Sequence, residues 1–131
     1  MHAKSKSRIL VIDDEPDMVD YLTSLLEDEG YECQGANSGT AGNLMVEEFR
    51  PDLICLDIDM PEKTGVKMYR ELGKDPQKNK IPVIIISGLT KDFENFFQYM
   101  SKHRENPPFI GFVAKPVDVR TLMAKVHESL S

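Results

Sequence analysis

The hydrophobic residues of this chain fall into short apolar runs that are separated by segments of helix length. The runs are nearly continuous in Val, Ile and Leu, which is typical of parallel strands covered on both faces. The run at 31–36 is the weakest, because polar residues interrupt it. The pattern predicts five strands, at residues 8–12, 31–36, 53–56, 83–86 and 109–114.

The segments between these strands carry apolar residues at helical spacing and end near Gly or Pro. The segment 73–82 is polar and rich in helix breakers, so it is expected to be a loop. In the fourth helix, Phe93, Phe96, Phe97 and Met100 form a stripe that is expected to face the core rather than line a ligand site. The predicted helices are 16–29, 39–49, 65–72, 91–102 and 119–130, with Asp118 as the N-cap of the last.

Alternating strands and helices favour an α/β fold, an open doubly wound parallel sheet with helices on both faces. A closed barrel is disfavoured because it needs about 250 residues, whereas this chain has 131. We expect a single domain at 8–131 after a disordered lead at 1–7, with no output domain attached.

Charge and composition narrow the class of protein. The net charge of −6 and the pI near 5.0 argue against direct nucleic-acid contact, which requires a basic surface. No apolar run approaches the ~20 residues of a membrane span, and no apolar signal segment follows the polar start, so a cytoplasmic protein without membrane contact is expected. Cys33 and Cys55 lie in predicted strands and are expected to be buried free thiols.

Reactive side chains stand where four of the predicted strands end. Asp13 and Asp14 follow the first strand, Asp57 the third, Ser87 the fourth and Lys115 the fifth. The carboxyl ends of parallel strands lie along one edge of the sheet, so these groups are expected to share a crevice. The adjacent acids alone are weak evidence, because Asp14 could simply cap the following helix.

Three carboxylates in one crevice require a cation, because two unit charges about 5 Å apart repel by about 3 kcal/mol at an effective dielectric near 20. Oxygen ligands without His or Cys point to Mg²⁺, with Mn²⁺ as an alternative. A divalent ion beside a carboxylate, a hydroxyl and a Lys is typical of phosphoryl transfer. Asp57, which stands alone at its strand end, is the candidate nucleophile.

Four motifs at the predicted strand ends carry a family resemblance. They are Asp13-Asp14, Asp57-x-x-Met60-Pro61-x-x-x-Gly65, Ser87-Gly88 and Lys115-Pro116. In this order and placement they resemble the receiver domain of two-component response regulators, over residues 9–130. The resemblance implies a flavodoxin-like sheet with strand order 2-1-3-4-5. It also implies a signalling phosphoacceptor, which is not an enzyme except that it catalyses its own phosphorylation and dephosphorylation.

The resemblance implies a role for each residue of the crevice. Asp57 would accept a phosphoryl group from a sensor histidine kinase or a histidine phosphotransfer protein. Asp13, Asp14 and the backbone carbonyl of Asp59 would bind Mg²⁺ together with Asp57. Lys115 would pair with the acids at rest and with the phosphoryl group afterwards.

The resemblance also implies a switch. Ser87 would turn to hydrogen-bond a phosphoryl oxygen, Phe112 would turn inward behind it, and Gly88 would leave the donor an open approach. The peptide bond between Lys115 and Pro116 would be cis. The added charge would bias the surface of the fourth helix, fifth strand and fifth helix, which would bind a downstream effector or form a homodimer.

Alternatives remain open at the level of sequence. Asp59 is either a plain exposed acid or a group that changes the lifetime of the phosphoryl group. Asp57-Ile58-Asp59 also resembles the DxD of haloacid-dehalogenase-type phosphatases, although there the metal acids come late in the chain. A binding module that is not phosphorylated usually lacks an acid or the Lys, and all are present here. The segment 87–115 is longer than usual for the family and contains Pro107-Pro108, so the output surface is the least predictable part.

Overall fold

The computed structural model describes residues 6–60, 65–88, 91–102 and 108–131, with the side chain of Asp92 left aside. Within these ranges five strands and five helices alternate. The strands are β1 (Arg8–Ile12), β2 (Glu32–Ala36), β3 (Leu53–Asp57), β4 (Val83–Ser87) and β5 (Phe109–Ala114). The helices are α1 (Pro16–Asp28), α2 (Gly39–Phe49), α3 (Gly65–Lys74), α4 (Lys91–Met100) and α5 (Val119–Leu130).

All five strands pair in parallel in one sheet of order β2-β1-β3-β4-β5. The predicted doubly wound α/β fold and its strand order are therefore confirmed. The order reverses direction at β1 and β3, and that is where open parallel sheets place their binding crevice. Among the described helices, none combines the length and apolar character needed to cross a bilayer.

Two apolar layers cover the sheet, which explains why its strands other than β2 are largely hydrophobic. Successive side chains of a strand point to opposite faces, so both faces must be apolar when both are covered. One layer packs α2, α3 and α4 on the sheet and includes Leu10, Leu56, Ile85, Val46, Met68, Leu72 and Phe96. The other packs α1 and α5 on the opposite face and includes Ile9, Val11, Ile84, Leu22, Leu26, Leu122 and Val126.

Helix α3 is longer than predicted. It continues to Lys74, so the expectation of a loop from residue 73 was wrong at its first two positions. Leu72 is buried in the core, and Gly73 and Lys74 complete the turn that holds it there. The helix ends at Lys74. The side-chain Oδ1 of the next residue, Asp75, accepts the backbone N–H of Gln77 at 2.9 Å and starts a turn.

Helix α4 ends at Met100, two residues before the predicted end. Its aromatic stripe is also narrower than predicted. Phe96 and Met100 are buried, but the Phe97 side chain is 60% exposed, so the expectation that Phe97 faces the core was wrong. Adjacent residues of a helix point about 100° apart, and the contact with the sheet covers only part of the stripe.

Gly65 allows α3 to begin directly against the end of β3. A Cβ at this position would lie 2.3 Å from the Ile58 Cα and 2.5 Å from the Asp57 carbonyl oxygen. Real Cβ atoms do not approach other atoms this closely, so only glycine fits without displacing the backbone that carries Asp57. Pro61, which the family motif also contains, lies outside the described residues.

Both cysteines behave as predicted. Cys33 in β2 and Cys55 in β3 are buried free thiols. Burial raises the pKa of each thiol to about 12, with smaller contributions from nearby charges. A thiol with such a pKa carries almost no thiolate at neutral pH, so neither is a reactive nucleophile.

Candidate functional site

The four strand ends singled out by the sequence meet at one edge of the sheet. Asp13 directly follows β1, Asp57 is the last residue of β3, Ser87 is the last residue of β4, and Lys115 directly follows β5. The parallel register places Asp57 opposite Ile86, next to Ser87. The Lys115 N–H donates to the Ser87 carbonyl at 2.9 Å, which ties the end of β5 to the end of β4.

Lys115 holds the two buried carboxylates together. Its Nζ lies 3.1 Å from Asp57 Oδ2 and 3.6 Å from Asp13 Oδ2. Asp13 and Asp57 are each 1% exposed, while the Lys115 side chain is 21% exposed. The ammonium therefore reaches the acids from the mouth of the crevice.

Burial dominates the electrostatics of the crevice. Burial, together with the charge of Asp57, raises the pKa of Asp13 to about 7, although the hydrogen bond from the Glu15 N–H and the charge of Lys115 act in the opposite direction. The pKa of Asp57 is also raised, again chiefly by burial, although Lys115 lowers it. Burial lowers the pKa of Lys115, but the charges of Asp57 and Asp13 outweigh this and raise it. The Lys is thus charged at neutral pH, while the acids resist being ionised together.

Asp13, Asp14 and Asp57 form an acidic pocket that could hold a metal ion. Each offers a carboxylate oxygen, and these oxygens lie within 4.8 Å of one another. Asp13 Oδ2 is buried and accepts no hydrogen bond from the described residues, because Lys115 at 3.6 Å is too far to donate one. An all-oxygen donor set with an unsatisfied buried carboxylate fits a hard divalent cation.

A backbone amide two residues further along the chain orients each buried acid. Asp13 Oδ1 accepts the N–H of Glu15 at 3.0 Å, and Asp57 Oδ1 accepts the N–H of Asp59 at 2.9 Å. Both are turns in which an Asp side chain bonds its own backbone two residues on. In each acid Oδ1 is held by the loop, so Oδ2 is left to face the crevice and Lys115.

Asp59 is a further candidate residue of the site. The sequence left open whether its side chain is plainly exposed or changes the lifetime of the phosphoryl group. Its Oδ2 accepts the hydroxyl of Ser87 at 2.8 Å and the backbone N–H of Gly88 at 3.0 Å. Asp59 is half-buried, so plain solvent exposure does not describe it. The position of Asp59 two residues after Asp57 in the chain was a signal for this site, but only the fold shows which groups its side chain contacts.

The structure also describes Phe112, Pro116 and Gly88 of the predicted set. Phe112 is half-buried on β5, and its ring packs on Phe93 of α4 with centroids 4.4 Å apart. The peptide bond between Lys115 and Pro116 is cis. Gly88 directly follows Ser87 and carries no side chain that would cover the mouth of the crevice.

An α/β sheet with a lysine-paired acidic crevice at its carboxyl edge defines a phosphoacceptor signalling module. The sequence profile described as the response regulator receiver domain matches residues 9–127. Because that match spans most of the chain, the protein belongs to the response regulator receiver domain family. It is a phosphoacceptor receiver domain of two-component signal transduction.

Individual relatives agree with the family match. Protein PilH of Pseudomonas aeruginosa is 33% identical over 125 residues, which cover 95% of this chain and 98% of PilH. Protein Rrf1 of Nitratidesulfovibrio vulgaris is 31% identical over 125 residues, which cover 95% of this chain and 83% of Rrf1. A CheY-like response regulator receiver domain protein from Methanospirillum hungatei has 26% identity and a TM-score of 0.80, over 96% of this chain and 94% of that one.

The family match and these relatives support a phosphoacceptor receiver domain. They give no support to the phosphatase or to the binding module that is not phosphorylated. Receiver domains interact with histidine kinases and with downstream effectors, and this chain belongs to that class of signalling module.

Proposed function

We propose that Asp57 is the residue that accepts the phosphoryl group, from a phosphohistidine of a sensor histidine kinase or a histidine phosphotransfer protein. The observation that carries this proposal is the pairing of Asp57 Oδ2 with Lys115 Nζ at 3.1 Å inside the cluster of three acids. Asp13 and Asp14 are adjacent in the chain after β1, whereas Asp57 is the single acid at the end of the central strand β3.

The reaction is a displacement at phosphorus. A carboxylate oxygen of Asp57 forms the new P–O bond while the P–N bond to the donor imidazole breaks. The electron pair of the broken bond stays on the imidazole nitrogen. The imidazole leaves neutral when its other ring nitrogen already carries a proton, and when it does not, the leaving nitrogen takes a proton from water. Lys115 balances charge that develops on the transferred group, because its ammonium already lies at the mouth of the crevice. The domain thereby catalyses its own phosphorylation, and water attack on the same phosphorus returns it to rest.

Asp13, Asp14 and Asp57, with the backbone carbonyl of Asp59, would hold Mg²⁺, and Mn²⁺ would serve in its place. The proximity of the three carboxylates and the unsatisfied buried oxygen of Asp13 support this assignment. Bound there, the ion would supply electrostatic stabilisation of the phosphoryl oxygens during transfer.

Ser87 and Phe112 would carry the change to the surface. In the phosphorylated domain the Ser87 hydroxyl donates to a phosphoryl oxygen, and the Phe112 ring turns inward behind it. Phe112 already packs on Phe93 of α4 at a centroid distance of 4.4 Å, so its movement changes the packing between β5 and α4. The surface of α4, β5 and α5 then binds a downstream effector or a second copy of this chain.

We assign this activity to one domain at 8–131 that works in the cytoplasm, without contact to membrane or nucleic acid. The net charge of −6 supports the last point, because a nucleic-acid surface needs basic residues. Recognition of the donor and of the effector is then a matter of protein surfaces.

Intact-mass measurement tests the proposal directly. With Mg²⁺ and acetyl phosphate, or with a phosphorylated histidine kinase, the protein should gain one phosphoryl group that hydroxylamine removes. Asp57→Asn should gain none, while Asp20→Asn, which changes an exposed acid of α1, should behave as the wild type. A phosphorylated Asp57→Asn protein, or a wild type that no donor of either kind modifies, would contradict the proposal.

A further inference from the structure

We propose that the Asp59 carboxylate competes with the phosphoryl group on Asp57 for the hydrogen bonds of Ser87 and Gly88. In the resting protein Asp59 accepts both of these bonds. Asp59 would thus be a positioning residue that sets how readily the switch serine is released. The inference rests on the proposed function, since it concerns the same crevice and the group that arrives on Asp57.

Two hydrogen-bond donors converge on one oxygen of Asp59. The Ser87 hydroxyl lies 2.8 Å from Asp59 Oδ2, and the Gly88 N–H donates to the same oxygen at 3.0 Å. Ser87 is fully buried, so water does not offer its hydroxyl an equivalent partner. A phosphoryl oxygen is bound in the same way, as a negatively charged oxygen that accepts hydrogen bonds from a hydroxyl and from an adjacent backbone amide.

The Ser87 hydroxyl has one proton and two acceptors within reach. Besides Asp59 Oδ2, the carbonyl oxygen of Gly88 lies 2.7 Å from Ser87 Oγ. A bond to an ionised carboxylate is about twice as strong as a bond to a neutral carbonyl, so the proton points to Asp59. The resting rotamer of Ser87 is therefore stabilised by the charge of Asp59.

The position of Asp59 forces competition with a phosphoryl group on Asp57. The Asp59 N–H donates to Asp57 Oδ1 at 2.9 Å, so the two residues are held in one turn. A phosphoryl group adds roughly −1.5 to −2 charges beside the Asp59 carboxylate, and like charges at this range repel. As Ser87 and Gly88 turn their donors to the phosphoryl oxygens, Asp59 loses both bonds and is displaced from the crevice.

The affinity for beryllofluoride in the presence of Mg²⁺ measures this competition, because this phosphoryl analogue needs no donor protein. Measured by calorimetry, Asp59→Asn and Asp59→Ala should bind beryllofluoride about tenfold more tightly than the wild type, which corresponds to about 1.4 kcal/mol of binding free energy. Glu15→Gln is the matched control. It removes an exposed charge at the same sheet edge whose side chain caps nothing, and should change affinity by about twofold or less.

A double-mutant cycle separates the hydrogen bond from simple charge repulsion. In a Ser87→Ala background the gain from Asp59→Asn should fall to about threefold or less, since the contested hydroxyl is gone. An equal gain in both backgrounds would overturn the proposal, because repulsion alone would then explain it. Unchanged affinity in both Asp59 variants would overturn it as well.

The resting protein offers a second readout that does not involve binding. The Gly88 amide resonance should move in Asp59→Asn and Asp59→Ala, since its acceptor is altered, and stay in place in Glu15→Gln. A Gly88 amide that is unmoved in both Asp59 variants would refute the contact. If Asp57→Ala abolishes beryllofluoride binding while both Asp59 variants bind it as the wild type does, this inference alone is refuted. Absence of any binding that depends on Asp57 would refute the proposed function with it.

Discussion

Replacing Asp13 with Asn should make the metal-free protein more stable at neutral pH. Asp13 is 1% exposed and shares its crevice with the carboxylates of Asp14 and Asp57. Asn has nearly the same shape, and its side-chain oxygen can still accept the Glu15 N–H that Asp13 Oδ1 accepts at 3.0 Å. The substitution therefore removes a buried charge and keeps the turn that follows β1.

The pKa of Asp13 sets the size of the effect. Burial, followed by the charge of Asp57, raises this pKa from 3.8 to about 7. The pKa of Asp13 in the folded protein is thus about 3 pH units above its value in the unfolded chain. At about 1.4 kcal/mol per pH unit, folding disfavours the ionised form of Asp13 by about 4 kcal/mol. Asn accepts a weaker hydrogen bond from Glu15 than a carboxylate does, which offsets part of the gain. We expect Asp13→Asn to be more stable by about 2–4 kcal/mol at neutral pH.

Urea unfolding in EDTA between pH 4.5 and pH 8 measures this difference. The unfolded carboxyl titrates near 3.8 and the folded one near 7. Between these values the folded protein holds more protons than the unfolded chain, so wild-type stability falls as the pH rises. Asp13→Asn lacks this proton, so the difference between the two proteins should be small at pH 4.5 and reach its full size above pH 7.

Asp20→Asn, an exposed change on α1, serves as the control and should stay within about 0.5 kcal/mol of the wild type at every pH. The reasoning fails if Asp13→Asn is no more stable than the wild type above pH 7. It also fails if the gain is the same at pH 4.5, because a gain without pH dependence would not come from the buried charge.

Three further predictions concern the same edge of the sheet. Adding Mg²⁺ in place of EDTA should raise the melting temperature of the wild type and raise that of Asp13→Asn much less; equal shifts would argue against Asp13 as a ligand. Lys115→Met should lower the free energy of unfolding by about 2 kcal/mol at pH 7.5 and by less at pH 5, where the acids it pairs with are partly protonated. Gly65→Ala should destabilise by about 2 kcal/mol or more in urea, since its Cβ would meet Asp57 and Ile58 backbone atoms; a neutral effect would show that α3 shifts freely.

Local pattern alone was enough to predict most of the architecture. Continuous runs of Val, Ile and Leu are typical of a covered parallel sheet. Such runs predicted four of the five strands that alternate with the helices, whereas the strand order was implied by the family resemblance. The groups that meet in the crevice followed from the same pattern, because any group that ends a parallel strand lies at one edge. Asp13, Asp57 and Lys115 are more than forty positions apart in the chain, yet their strand ends predicted that they share one crevice. The pairing of Lys115 with the acids was implied by the family resemblance, and the structure shows both ion pairs.

Tertiary packing decided what local pattern could not. Phe97 fits the apolar stripe of α4 as well as Phe96 does, but only the position of the sheet determines which ring is covered. From the sequence, Asp59 could be an exposed surface acid. In the fold the end of β4 lies beside it, and Ser87 and Gly88 donate hydrogen bonds to its carboxylate. Helical and strand periodicity describe one element at a time, whereas such contacts depend on the distance between two elements. The sequence thus determined which groups reach the crevice, and the packing of neighbouring strand ends determined which of them bond at rest.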